Sequence, residues 1–155
     1  MDIRFGDLER ALIKQFKVPT DRQGAFRARI RRFRDLNVPN VTRVGSGTRT
    51  EYSRLNAVEL SVALRLTSAN ISPRAAADIV LSPWLKGALE IIDKTKAQAF
   101  VIYNTDPYAN EQSDDRTLFA YHEKQLLDRI KASELSAIID LPRLVRNLDV
   151  ALSEP

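Results

Sequence analysis

Residues 23–35, QGAFRARIRRFRD, set three large apolar side chains, Phe26, Ile30 and Phe33, at intervals of four and three. A helix turns those intervals into one face, because successive residues rotate by about 100°. The other positions are crowded with charge: six arginines fall between Arg22 and Arg34. The segment is therefore read as a helix with a narrow buried stripe and a broad basic surface. Arg27, Arg31 and Arg32 are assigned to the side opposite the stripe, with the small Gly24 and Ala28 between them. Arg22 and Arg29 fall nearer the apolar side, where their long stems still reach outward. Glycine inside a helix costs about 1 kcal/mol relative to alanine. Small residues among arginines let a helix backbone approach a phosphate chain or a groove floor closely. Solvated faces usually mix signs at i,i+4, whereas Arg27 and Arg31 form a like-charge pair that anions would relieve. The stretch reads as a surface for a polyanion.

The flanking sequence gives that helix a context. FGDLERALIKQF places Leu8, Leu12, Ile13 and Phe16 on one stripe and predicts a preceding helix, ended by KVPT. Thr20 with Gln23 three residues later predicts a capping box at the start of the arginine helix, and Pro39 lies just past its end. A helix, a short turn and a second, arginine-rich helix form a helix-turn-helix outline. VTRVGSGTRTEYS, residues 41–53, has β-branched residues around Gly45-Ser46-Gly47 and predicts a hairpin, its arms carrying Arg43 and Arg49. A basic hairpin in that position is a wing. RLNAVELSVALRL predicts a helix buried on most sides, and SPRAAADIV and SPWLKGALEIID each predict a helix opened by Ser-Pro.

Charge divides the chain in the same place. Residues 1–54 hold 13 Lys and Arg against 6 Asp and Glu, while residues 55–155 hold 11 against 14. Such asymmetry is the usual footprint of a nucleic-acid-binding half joined to something else.

In order and spacing, residues 3–82 resemble the mercury-resistance-regulator (MerR) type of winged-helix transcription factors. GTRTEYSRLNAVEL is similar to the pattern that leads into that family's third helix, with Gly47, Arg49 and Tyr52 in matching roles. RLTSANISPRAAADIV resembles the entry to its fourth helix, and RIRRFRDLNVP stands where an arginine and two aromatics are usual. The resemblance implies a DNA-binding domain of four helices and a wing, in a protein that dimerises beyond it.

The second half reads differently. AQAFVIYN predicts a strand; LFAYHEKQLLDRI begins as a short strand or directly as a helix; ELSAIID predicts another strand and LPRLVRNLDVAL a last helix. Trp84, Phe100, Tyr103, Phe119 and Tyr121 gather here, for an effector pocket or a dimer core. The expected architecture is mainly α: a winged helix-turn-helix domain over residues 1–82, then a small α+β domain over residues 83–155 that makes the homodimer. Pairing of AFVIYN across the two-fold axis would remove an exposed sheet edge.

No catalytic residue, metal site or cofactor is expected. The chain has no cysteine and one histidine, His122, and the carboxylates of residues 106–115 lack calcium-loop spacing. Neither a secretion signal nor an apolar run of about 20 residues is present, so the expected compartment is the cytoplasm, at the nucleoid. The expected function is sequence-specific duplex-DNA binding by a dimeric transcriptional regulator. Its contacts would come from Arg22, Gln23, Arg27, Arg29, Arg31 and Arg32 on the helix, and from Arg43, Thr48, Arg49 and Tyr52 of the wing. An architectural or phage- or plasmid-maintenance DNA-binding role, or a protein-binding adaptor, is the alternative. RNA is disfavoured, since no exposed aromatics interleave with the arginines.

Overall fold

In the computed structural model, the structure describes residues 3–41, 51–95, 97–104, 117–120, 123–131 and 136–153. The protein is mainly helical, with two small antiparallel sheets. The described elements are β1 (Ile3–Arg4), α1 (Phe5–Gln15), a 3-10 turn (Thr20–Arg22), α2 (Gln23–Asp35), β2 (Glu51–Tyr52), α3 (Arg54–Ser68), α4 (Pro73–Val80), α5 (Trp84–Thr95), β3 (Phe100–Asn104), β4 (Thr117–Ala120), α6 (Glu123–Lys131), β5 (Ser136–Asp140) and α7 (Leu141–Ser153).

Three helices end in the same way. After α1, α2 and α3 the chain passes through a left-handed residue, Lys17, Asn37 and Asn70, with φ of 50°, 60° and 63°. In each case the next residue's amide reaches back to the helix: Val18 to the Ile13 carbonyl at 3.0 Å, Val38 to Phe33 at 2.9 Å and Ile71 to Leu66 at 3.2 Å. These bonds occupy carbonyls that a helix end otherwise leaves bare. Each pins an aliphatic side chain against the core, and Val38 and Ile71 are buried.

The helix starts are less uniform. Ser53 and Asn56 cap α3 reciprocally, the Asn56 amide donating to Ser53 Oγ at 3.2 Å and the Ser53 amide to Asn56 Oδ1 at 2.9 Å. Ser72 caps α4 through the Ala75 amide at 3.2 Å, with Pro73 in the first turn. Two expected starts are corrected. Thr20 makes no side-chain cap; the chain enters α2 through the 3-10 turn, which already uses the local backbone donors. Ser82 does not cap α5, because its hydroxyl donates backwards to the Ile79 carbonyl at 2.7 Å, as does Trp84 Nε1 at 2.9 Å.

Helix α3 is the axle of the molecule, buried from Asn56 to Leu64. Helices α2, α4, α5 and α7 pack around it. In the second sheet β3 is central, antiparallel to β4 on one side and to β5 on the other. The AFVIYN strand therefore has no free edge to pair across a two-fold axis; its edges are taken within the chain. Helix α7 follows β5 directly and lies along α1 and α3. A polar link fixes that closure: Ser61 Oγ donates to Gln15 Oε1 at 2.7 Å, and Gln15 Nε2 to the Leu144 carbonyl at 3.0 Å. One buried cluster runs from Ile3 through Leu60 and Val101 to Leu148. The apolar core thus crosses the boundary expected at residue 82.

Candidate nucleic-acid interface

Phe26, Ile30 and Phe33 are buried, as the intervals between them required, and this orients the rest of α2. The arginines then divide by their surroundings. Arg27 Nε donates to Glu9 Oε1 of α1 at 2.7 Å. The Arg34 guanidinium stands 4.7 Å from the centroid of the Phe5 ring, a cation–π contact. These two sit on the flank facing α1 and hold α2 in place. Arg27 is thus corrected from the outermost face to this flank.

Arg22, Arg29, Arg31 and Arg32 are exposed, and none has an acidic partner among the described residues. Other arginines do have partners: Arg10 pairs with Asp7, Arg74 with Asp78, and Arg65 lies over the Phe16 ring at 4.2 Å. Between the exposed arginines Gly24, Ala25 and Ala28 are also exposed. A Cβ on Gly24 would meet nothing within 4 Å, so packing inside the protein does not require that glycine. The outer surface of α2 is low in relief and positively charged. Leaving such charges unpaired costs a few tenths of a kcal/mol per neighbouring pair, which an anionic ligand would offset. Gln23 is half-buried at the helix start.

Tyr52 is a correction. Its ring is 2% exposed and packs 5.9 Å from that of Phe5, while β2 pairs Tyr52 with Ile3. Strand alternation turns Glu51 outward and Tyr52 into the core. Arg43, Thr48 and Arg49 lie outside the described residues, as do most of the hairpin expected over 41–53, the acidic loop 106–115, and His122. Trp84 and Tyr103 contribute to the core rather than to a described pocket. Among the described residues no group of three or more His, Asp or Glu could hold a metal ion. Likewise, no described helix is long and apolar enough to cross a membrane.

Sequence reasoning missed the role of Arg54. At the first turn of α3 its guanidinium binds Asp149 of α7 at 2.8 and 2.9 Å and Asp93 of α5 at 2.9 and 3.1 Å. Hydrogen bonding to Asp149, and then to Asp93, raises its pKa further above the ordinary arginine value. It ties three helices together at the end of α3 that follows β2. Its only signal in the sequence was a cation where a helix N-terminus prefers an anion.

No known protein-family model matches this chain, and neither does any curated protein.

Proposed function

We propose that the protein is a sequence-specific duplex-DNA-binding transcriptional regulator that works as a dimer at the nucleoid. Helix α2 enters the major groove, with Arg31 and Arg32 foremost. The observation that carries this reading is the row of exposed arginines on α2, without acidic partners among the described residues and interleaved with glycine and alanine. A helix with small residues at its outermost positions comes close to the groove floor, and guanidiniums there reach guanine edges or phosphates. Four helices, α1 to α4, fall within residues 3–82, as many as the resemblance to MerR-type regulators implies, and β2 pairs with β1 beside them. Residues 83–155 offer surface for a dimer, with Ile91 and Ile138 more than a third exposed and β5 at a sheet edge. Two-fold pairing doubles the contacts and fixes half-site spacing.

Selection of bound duplexes from a random pool, followed by anisotropy titration at fixed salt, tests the reading. A recovered motif is expected. Arg31→Ala should weaken binding to it by about 1–3 kcal/mol, with specificity relaxed at one position if the contact is to a base. Arg27→Ala should cost less, because that side chain is already engaged by Glu9. Failure to enrich any sequence, together with wild-type affinity in Arg31→Ala, would remove the proposal.

A further inference from the structure

Beside α2, where the turn after α3 meets the start of α4, lies a cleft of about 340 Å³. It is lined by the buried Phe33 and Ile71 with Pro73, by the exposed Arg29 and Arg32, and by Thr67, Asn70 and Ser72. The Thr67 hydroxyl that lines it is already used as a donor, and the Ser72 hydroxyl as an acceptor. Thr67 Oγ1 donates to carbonyls of its own helix at 3.0 and 3.3 Å, and Ser72 Oγ accepts from the Ala75 amide. The two guanidiniums have no acidic partner among the described residues. They are three residues apart on one helix and so stand on the same side of it.

Size and polarity restrict the occupant. An apolar cavity of about 150 Å³ accepts a benzene ring, and this cleft has roughly twice that volume. Ligand sites typically start near 300 Å³, with apolar walls and a few placed polar groups. Here the charged groups are two guanidiniums, donors in a fork geometry that suits carboxylate and phosphate oxygens, with the Asn70 amide as a neutral donor beside them. We propose that the cleft binds a small organic anion of about one ring, an aromatic carboxylate or an aryl phosphate, with its ring against Phe33, Ile71 and Pro73 and its charge between Arg29 and Arg32. The same arginines belong to the surface assigned to DNA, so the ligand and DNA compete; that competition rests on the DNA-binding reading, whereas the cleft itself does not.

The test is calorimetric titration of the full chain without DNA, using phenyl phosphate, benzoate, inorganic phosphate and benzyl alcohol. Phenyl phosphate or benzoate is expected to bind saturably, about tenfold or more tighter than inorganic phosphate or benzyl alcohol. Arg32→Gln, and Thr67→Phe to fill the cleft, should each weaken binding about tenfold, with circular dichroism establishing that each variant is folded. If Thr67→Phe does not fold, the surface variant Arg32→Gln decides alone. Absence of saturable binding, equal binding of inorganic phosphate, or unchanged binding in Arg32→Gln would overturn the assignment. In a second arm, saturating phenyl phosphate should weaken duplex binding by wild type and leave Thr67→Phe unaffected. Unchanged duplex affinity overturns the competition. If no duplex binds under any condition, the DNA reading falls while the calorimetry still decides the cleft.

Discussion

Asn37 carries a left-handed backbone that a residue with a branched Cβ adopts only at a cost. Asparagine tolerates this conformation, and valine loses about 1–2 kcal/mol there. Asn37→Val should therefore lower the melting temperature by a few degrees, whereas Asn37→Gly should stay near wild type; a neutral valine variant would contradict the helix end described. Glu59 is a second residue whose surroundings set its behaviour. It is buried on α3, and burial pushes its carboxyl above the ordinary value near 4.5, against hydrogen bonds from Asn56 and the Asn40 backbone. The folded state thus holds this proton more tightly than the unfolded state. As pH rises from below the ordinary value through the raised one, stability is lost from this group. Glu59→Gln cannot ionise and keeps an acceptor for the Asn40 amide. It should melt higher than wild type near neutral pH, with the difference closing in acid. Melting curves across that range check it, and a variant less stable at neutral pH would reverse the sign.

At the scale of elements, Gly24 separates folding from function. It is exposed in α2 with open space where a Cβ would stand, so Gly24→Ala should stabilise the free protein by up to about 1 kcal/mol. If the helix backbone lies against a groove, the same methyl group obstructs that approach and duplex affinity should fall. Thermal melting and anisotropy on one sample check both halves, and unchanged affinity would mean that another surface meets DNA. Much of this level was legible. The 3.6-residue period located α1, α2 and α7, because burying one face imposes its spacing on the sequence; Ser-Pro starts marked α4 and α5, and the apolar run of AFVIYN marked β3. The start of LFAYHEKQLLDRI resolves into β4 followed by α6. Less legible were interactions chosen by tertiary neighbours. Arg27 faces Glu9 because α1 crosses on that side, and the wheel angle of Arg27 alone does not reveal it. Ser82 begins a Ser-Pro pair like Ser72, yet the nearer Ile79 carbonyl claims its hydroxyl. The Lys-Val, Asn-Val and Asn-Ile pairs after three helices stand in the sequence, but they mark only the break and not the left-handed turn.

At the scale of the whole molecule, the shared core makes the two expected halves depend on each other. Leu148 of α7 is fully buried, and α7 packs on α1 and α3. Leu148→Ala should cost about 2–5 kcal/mol, a large part of the roughly 5–15 kcal/mol that holds an ordinary domain together. Unfolding followed at once by Trp84 fluorescence and far-ultraviolet circular dichroism should give coincident transitions, shifted together in the variant. Two separate transitions, with only the later one shifted, would divide the core near residue 82. The same closure orders events in time. Gln15 and the Leu144 carbonyl that it binds are 129 residues apart. At about 5–20 residues per second, synthesis of the intervening chain takes roughly 6–26 s. During that interval α1 has been made while the helix that covers it has not. Completion of the core therefore waits for α7, and the arginine helix emerges from the ribosome before the scaffold that fixes its position exists.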